Sequence, residues 1–149
     1  MDAFVQPLYE LADFDAIIRQ LKKPGIVQVS GCLDSQKAHF TNGLLREFPF
    51  RLIVAENDLK AKAFYEDFRL YDPEVLYYPA RDLIFYQADI HGNLLTRQRI
   101  QVLRALLERE EVTIVTSIDS CLDCLVPLAV WKEKVIKIRN DSEIDLDRM

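Results

Sequence analysis

The stretch RLIVAENDLKAKAFYEDF, residues 51–68, contains an apolar strand that runs directly into a helix, and this unit decides the fold. Residues 52–55 are continuously apolar, which is typical of a strand buried on both faces of a parallel sheet. Asn57 can cap the helix that follows, which extends to about Leu70. The apolar positions expected on one stripe of that helix are Leu59, Ala63, Phe64 and Phe68.

The same alternation of strand and helix patterns continues on both sides of this unit. Apolar runs predict further strands at residues 26–30, 75–78, 112–116 and 135–138. Helical spacing predicts helices at residues 8–22, 34–48, 96–110 and 118–125. In the third of these we expect four inward residues: Ile100, Leu103, Leu106 and Leu107. Such alternation predicts an α/β fold in three layers, with helices on both faces of a parallel sheet.

Length and composition indicate one ordinary soluble domain. The chain has 149 residues, of which 50% are hydrophobic and 29% charged, with a net charge of −5. The acidic balance argues against a domain that clamps nucleic acid over its whole surface. No apolar run approaches the ~20 residues that cross a bilayer, and no secretory signal is visible. With three cysteines, too few for a disulfide framework, the sequence predicts a cytoplasmic protein with no membrane contact.

The loop after the strand predicted at residues 26–30 has the spacing of a phosphate-binding loop, G-x-x-x-x-G-K-[ST]. Gly31 and Lys37 match that pattern. Gln36 replaces the second glycine, whose missing side chain lets backbone N–H groups surround the phosphates. Ala38 replaces the hydroxyl that binds Mg²⁺. Asp34 places a carboxylate where phosphate oxygens would lie. We therefore expect no bound nucleotide, no metal and no catalytic residue here.

Three interpretations of this loop stay open on the residues alone. A plain turn between strand and helix is favoured, because a glycine and a lysine at this spacing form a common pattern. An inactivated phosphate-binding loop comes next, and a working ATPase site is third.

Three segments together carry a resemblance to a known family: residues 51–68, residues 77–93 (YYPARDLIFYQADIHGN) and residues 99–122 (RIQVLRALLEREEVTIVTSIDSCL). Their order and spacing resemble the N-terminal module of bacterial transcription-repair coupling factors (Mfd), which is itself similar to UvrB. The resemblance runs from about residue 20 to the end. It implies a RecA-like subdomain 1A at residues 20–139, after an N-terminal extension at 1–20 and before a linker that starts at 140–149.

The resemblance also implies a function for the loop and for the chain. UvrB has an intact phosphate-binding loop at this place, whereas Mfd has lost it and has its ATPase motor further along the chain. The implied role is a non-catalytic scaffold that supports UvrA recruitment and displacement of stalled RNA polymerase in nucleotide excision repair. ATP, Mg²⁺ and double-stranded DNA are implied for the full-length translocase. The alternative is a P-loop domain that binds or hydrolyses nucleotide and acts on DNA.

The remaining candidate residues favour structural roles. Residues 79–93 are too few for the long DNA-wedging hairpin of UvrB, so we expect core packing for the aromatic residues of this region: Tyr77, Tyr78, Phe85 and Tyr86. Cys121 and Cys124 are expected as small buried core residues rather than zinc ligands or a redox pair. His39 is expected on a helix surface and His91 in a loop.

A set of basic residues has two interpretations. They are Lys60, Lys62, Arg97, Arg99 and Arg104. They form either a modest basic face for weak, salt-dependent DNA binding or an ordinary solvated surface, which we favour.

Overall fold

A computed structural model describes residues 3–80, 89–123, 125, 127 and 129–131, with side chains in the second range from residue 94 onward. A short 3₁₀ helix at Gln6–Glu10 precedes the regular elements. These are α1 (Phe14–Leu21), α2 (Asp34–Leu45), β1 (Phe50–Ala55), α3 (Asp58–Phe68), β2 (Leu76–Tyr78), α4 (Asp89–Glu108), β3 (Val112–Ser117) and α5 (Ile118–Cys121).

The strands form a parallel sheet, as the alternating pattern predicts. In the described part of the chain the sheet has three strands in the order β1-β3-β2. Leu52 of β1 lies opposite Ile114 of β3, and Tyr77 of β2 lies opposite Val115. All six residues of β3 are buried, because β3 is central and has helices on both faces. The α/β fold class is therefore confirmed.

Helices cover both faces of this sheet. Tyr77 and Val115 join a cluster with Ala61 and Phe68 of α3. Their strand neighbours point the other way, and Leu76 and Ile114 pack against α4 through a cluster that includes Val102 and Ala105. Side chains alternate across a strand, so α3 and α4 lie on opposite faces. The predicted three-layer arrangement is confirmed.

The expectation that residues 52–55 are buried on both faces is wrong. Leu52 and Val54 are 61% and 47% exposed. β1 stands at the edge of the sheet, and α4 packs over β2 and β3 rather than over β1. The continuous apolar run predicted the strand correctly but not its position at an edge.

The expected strand at residues 26–30 is also wrong. These residues have no regular secondary structure and pair with no strand of the described sheet. Ile26 is 95% exposed. A strand needs a hydrogen-bonded neighbour, and the edge of β1 is not occupied by this segment. Residues 135–138 lie outside the described residues, and the domain boundaries at 20 and 140 stay predictions.

The helices differ from their expected boundaries and faces. The predicted helix at 8–22 is divided into the 3₁₀ helix and α1, and α4 begins at Asp89 rather than Thr96. Among the α4 side chains described, from residue 94 onward, Arg99, Val102 and Ala105 are buried, whereas Ile100 and Leu106 are exposed. The small side chains of Val102 and Ala105 let the helix approach the sheet closely. In α3, Leu59 and Ala63 are exposed, and Ala61 takes the buried position beside Phe68.

The N-terminal elements have an apolar cluster of their own. Val5, Leu8, Phe14 and Ile18 pack with Leu44 of α2. Gly43 of α2 allows this contact, because a Cβ at that position would collide with the side chains of Leu8 and Phe14. The N-terminal elements are therefore held against α2, on its side away from the sheet.

Candidate functional site

Gly31 lies in the connection between residues 26–30 and α2. Its φ of +88° lies in the left-handed region that L side chains rarely adopt. A Cβ there would meet no described atom within 4 Å, so the backbone conformation requires the glycine and packing does not. The first glycine of the predicted loop thus supplies a backbone conformation that other residues rarely adopt.

Gln36 caps the helix that a phosphate would otherwise approach. Its side-chain oxygen Oε1 accepts a hydrogen bond from the backbone N–H of Leu33, over 3.2 Å. The first amides of a helix have no partner within it, and they bind either a side chain or an anion. Here one of these amides is already satisfied by Gln36, at the position where a working loop has glycine.

Lys37 is engaged by a carboxylate of the same helix turn. Its Nζ lies 2.6 Å from Oδ1 of Asp34, with both side chains on the surface. The hydrogen bond from Lys37, and then its charge, hold the pKa of the Asp34 carboxyl below its usual value. Lys37 is thus paired within its own helix turn, through an exposed ion pair of the kind that contributes little to stability.

Ala38 points into the protein rather than toward the loop. It is 1% exposed and packs in the cluster formed with Ala61 and Phe68. A methyl group is all that this position holds, so no oxygen is available there for a magnesium ion.

The space beside the loop is an apolar groove. It has a volume of about 570 Å³ and lies between α1, residues 27–32 and α2. Ile17, Leu21, Phe40 and Leu44 supply much of its lining. Ser30, Lys37 and Thr41 add polar groups to the lining, and Lys37, its one cationic side chain, is paired with Asp34.

Replacing Lys37 by alanine should raise the pKa of the Asp34 carboxyl toward its ordinary value, because the donor and positive charge are removed. A lowered folded-state pKa contributes stability above the unfolded-state pKa, and this is lost as pH falls through the folded-state pKa. NMR titration of the Asp34 side chain measures the change, with Lys62→Ala as a control on another exposed lysine. An unmoved Asp34 pKa would contradict the pairing.

Restoring a hydroxyl at position 38 should destabilise the protein rather than create a magnesium site. In Ala38→Thr the larger side chain enters the cluster of Ala61 and Phe68. Overpacking and an unpaired hydroxyl should lower the free energy of unfolding by about 1–3 kcal/mol. Urea unfolding measures this, with the exposed Ser35→Thr as control. Unchanged stability together with saturable binding of MgATP would show that position 38 faces a ligand site.

Polar side chains that the sequence did not single out meet at the carboxyl ends of the strands. Asp58 Oδ1 lies 3.3 Å from the Ser117 hydroxyl and accepts a hydrogen bond from the Ala80 N–H. The Ser117 and Ser120 hydroxyls are 2.9 Å apart and both residues are buried. Burial, and then hydrogen bonding to Asp58, raises the pKa of Tyr77. These groups satisfy one another and join α3, α5 and the sheet.

Arg99 is buried at the same end of the sheet. Its Nη1 donates to the Pro79 carbonyl and to Asp123 Oδ2, each over 2.8 Å. The guanidinium carbon lies 4.2 Å from the centroid of the Tyr78 ring. The burial of Tyr77 and Tyr78 confirms their expected core packing, whereas Phe85 and Tyr86 lie outside the described residues.

The five basic residues do not form one basic face. Lys60 and Lys62 belong to α3, whereas Arg97 and Arg104 are on α4, which covers the opposite face of the sheet. Arg99 is buried. Lys60 is paired with Glu56 and Arg104 with Glu108.

The cysteines and histidines differ in part from expectation. Cys121 is exposed, so its expected core position is wrong: Ser120 is the buried residue of α5. Cys32 is half-buried, and Cys124 lies outside the described residues. His39 is half-buried, bonds the Phe4 carbonyl and stacks on Tyr71. His91 falls within α4 rather than in a loop.

Comparison with known proteins agrees with the family resemblance. Two curated relatives are named transcription-repair-coupling factor and come from two strains of Staphylococcus epidermidis, ATCC 35984 and ATCC 12228. Each is 25% identical to this chain over 124 residues, which cover 81% of the chain. The chain resembles transcription-repair-coupling factors. No protein-family model matches it.

The similarity to coupling factors concerns a small part of those proteins. The aligned region corresponds to 11% of the length of each relative. In the described part of this coupling-factor-like chain, no helix is long and apolar enough to cross a membrane. The same part contains no cluster of three or more potential metal-ligating side chains of His, Cys, Asp or Glu.

Proposed function

We propose that this chain is a non-catalytic scaffold module of a transcription-repair coupling factor. The observation that carries the proposal is the similarity to coupling factors across 81% of the chain. Within a longer protein, the module supports recruitment of UvrA and displacement of stalled RNA polymerase during nucleotide excision repair. ATP, Mg²⁺ and double-stranded DNA engage other parts of that protein, and the module acts in the cytoplasm.

The geometry of residues 31–38 supports a scaffold rather than a motor. The Gln36 side chain accepts a hydrogen bond from an amide at the start of α2, Lys37 is paired with Asp34, and Ala38 is in the core. Each of the three positions that would hold a nucleotide or its magnesium has instead a role within the fold. A module with this loop serves as a rigid contact surface for the rest of the protein, and ATP is hydrolysed in another domain.

Capture of purified UvrA tests the scaffold role. Three proteins are immobilised: the full-length coupling factor, the same protein without residues 1–149, and residues 1–149 alone. We expect strong capture by the first, weaker capture by the second and little by the third, because the module supports a UvrA site that lies mostly in the next domain. Equal capture by the first two would contradict the proposal. Strong capture by the third would place the UvrA site within this chain.

The competing function is a domain that binds or hydrolyses nucleotide. It is favoured by one observation, the left-handed backbone conformation of Gly31 six residues before Lys37. Calorimetric titration of residues 1–149 with ATP and Mg²⁺ separates the two functions. We expect no heat of binding at micromolar concentrations. A dissociation constant in the micromolar range, abolished by Lys37→Ala, would establish the nucleotide site.

A further inference from the structure

The first elements of the chain form an arm that is bound mainly to one helix. We call residues 3–21, which contain the 3₁₀ helix and α1, the N-terminal arm. Its buried side chains form one cluster with Phe40 and Leu44 of α2. Among the described residues, the two clusters around the strands contain no member of the arm. The arm therefore keeps this packing on any copy of α2, whether that helix belongs to its own chain or to another.

The surface of α2 that holds the arm is specific in shape. A Cβ at Gly43 would collide with Cδ1 of Leu8 and would lie 3.0 Å from Cζ of Phe14. The glycine therefore leaves a notch into which these two side chains fit. At a second point, a ring nitrogen of His39 in α2 is hydrogen-bonded to the carbonyl of Phe4. Together these contacts give the arm one position and one direction on α2.

The connection between the arm and α2 is irregular and exposed. Residues 22–33 contain no helix or strand and pair with none of the described strands. Ile26 is 95% and Val29 41% exposed, and a Cβ at Gly25 would meet no described atom within 4 Å. A connection of this kind can change direction without breaking a packed element. In the single chain its apolar side chains also stay in contact with water.

We propose that the N-terminal arm binds α2 of a second copy of this chain, so that two chains pair by exchanging residues 3–21. Exchange of an identical element preserves the contacts of the cluster, because Leu8 of each chain enters the notch at Gly43 of the other. It also brings the two connections together, where Ile26 and Val29 of the two copies cover one another. The inference does not depend on the proposed function.

The exchange competes with binding of the arm to its own α2. A short flexible connection holds two linked partners at an effective concentration in the millimolar range. The exchanged pair should therefore be a minor species at about 10 µM and a readily measured one near about 1 mM. The experiments below are done at the higher concentration, where the two arrangements compete on similar terms.

Disulfide trapping tests the exchange directly. Leu8→Cys and Gly43→Cys are made in two separate chains whose three native cysteines are replaced by serine, and the chains are mixed and oxidised at about 1 mM. We expect at least about 10-fold more linked pair than from Leu11→Cys mixed with Gly43→Cys, because Leu11 is an exposed arm residue outside the cluster. The two cysteines placed in one chain should close within it, which shows that the positions permit a disulfide. A mixture that gives no more linked pair than its control would overturn the proposal.

Light scattering gives a second readout that needs no cross-link. The unmodified chain at about 1 mM should contain a species of twice its mass. Gly43→Leu fills the notch and should reduce this species at least about 10-fold, whereas Ser35→Leu, at an exposed position of the same helix, should leave it unchanged. A chain that stays monomeric at this concentration would contradict the exchange. So would a dimer that persists in full in Gly43→Leu, because the two copies would then meet through another surface.

Discussion

Phe68→Ala should lower the free energy of unfolding by about 4 kcal/mol, a large part of the 5–15 kcal/mol of a typical domain. Phe68 is 0% exposed at the end of α3 and packs in the cluster with Val75 and Val115. Its ring also stacks on Phe64, with centroids 5.6 Å apart. The truncation removes buried apolar surface and leaves a cavity between α3 and the sheet. Urea unfolding of residues 1–149, followed by circular dichroism, measures the loss.

Phe50→Ala is the matched control for this prediction. It removes the same atoms from a side chain that is 57% exposed. The loss should stay at or below about 1 kcal/mol, since little buried surface disappears and β propensity changes modestly. Equal losses for the two variants would mean that the face of β1 is covered in the isolated chain.

Arg99→Ala should cost about 2–3 kcal/mol. The buried guanidinium connects α4 to the Pro79 carbonyl and to Asp123, and it lies over the Tyr78 ring. Its removal leaves polar groups without this donor and removes a cation–π contact. The loss falls below that for a fully buried pair, because the Asp123 side chain is 26% exposed. Thermal and urea unfolding measure the effect.

Arg104→Ala is the control on the same helix. The Arg104 side chain is 74% exposed and pairs with Glu108 one turn along. Exposed pairs of this spacing contribute about 0.3–0.5 kcal/mol, so the variant should be nearly neutral. If Arg99→Ala is equally neutral, the buried guanidinium does not hold α4 to the sheet.

The sequence predicted those elements whose partners are close in the chain or wholly buried. β3 was evident because VTIVT is apolar or β-branched throughout, and it is buried on both faces. The helix after Asn57 was predicted with its cap, and the Asn57 side chain accepts from the Lys60 N–H. The alternation of strand and helix patterns then predicted a parallel sheet with helices on both faces.

The errors arise where tertiary neighbours decide the outcome. Residues 26–30 and β1 have the same apolar character, but one is unpaired and the other is an edge strand, since pairing depends on what lies alongside. Cys121 and Ser120 are adjacent, and the phase of a helix of four residues cannot be read from periodicity.

At the candidate site, the sequence identified the substitutions at positions 36 and 38 but not their new partners. Gln36 reaches back to the Leu33 amide, and Ala38 packs on α3. The pairing of Lys37 with Asp34 follows from their i, i+3 spacing on a helix, which the residues alone could have indicated. The cluster of Asp58, Ser117 and Ser120 requires the sheet order, because its members come from separate segments.

The separate apolar cluster of the N-terminal elements affects how the protein opens. The 3₁₀ helix and α1 rest mainly on α2, with Phe4 also contacting Tyr71. Detachment of these elements exposes Leu8, Phe14 and Leu44 but leaves the packing around the strands in place. A protease should therefore trim the first 25 or so residues before it cuts the sheet. Inside a larger assembly, detachment of this segment can expose a surface of α2 for contact with a neighbouring domain, while the rest of the module keeps its structure.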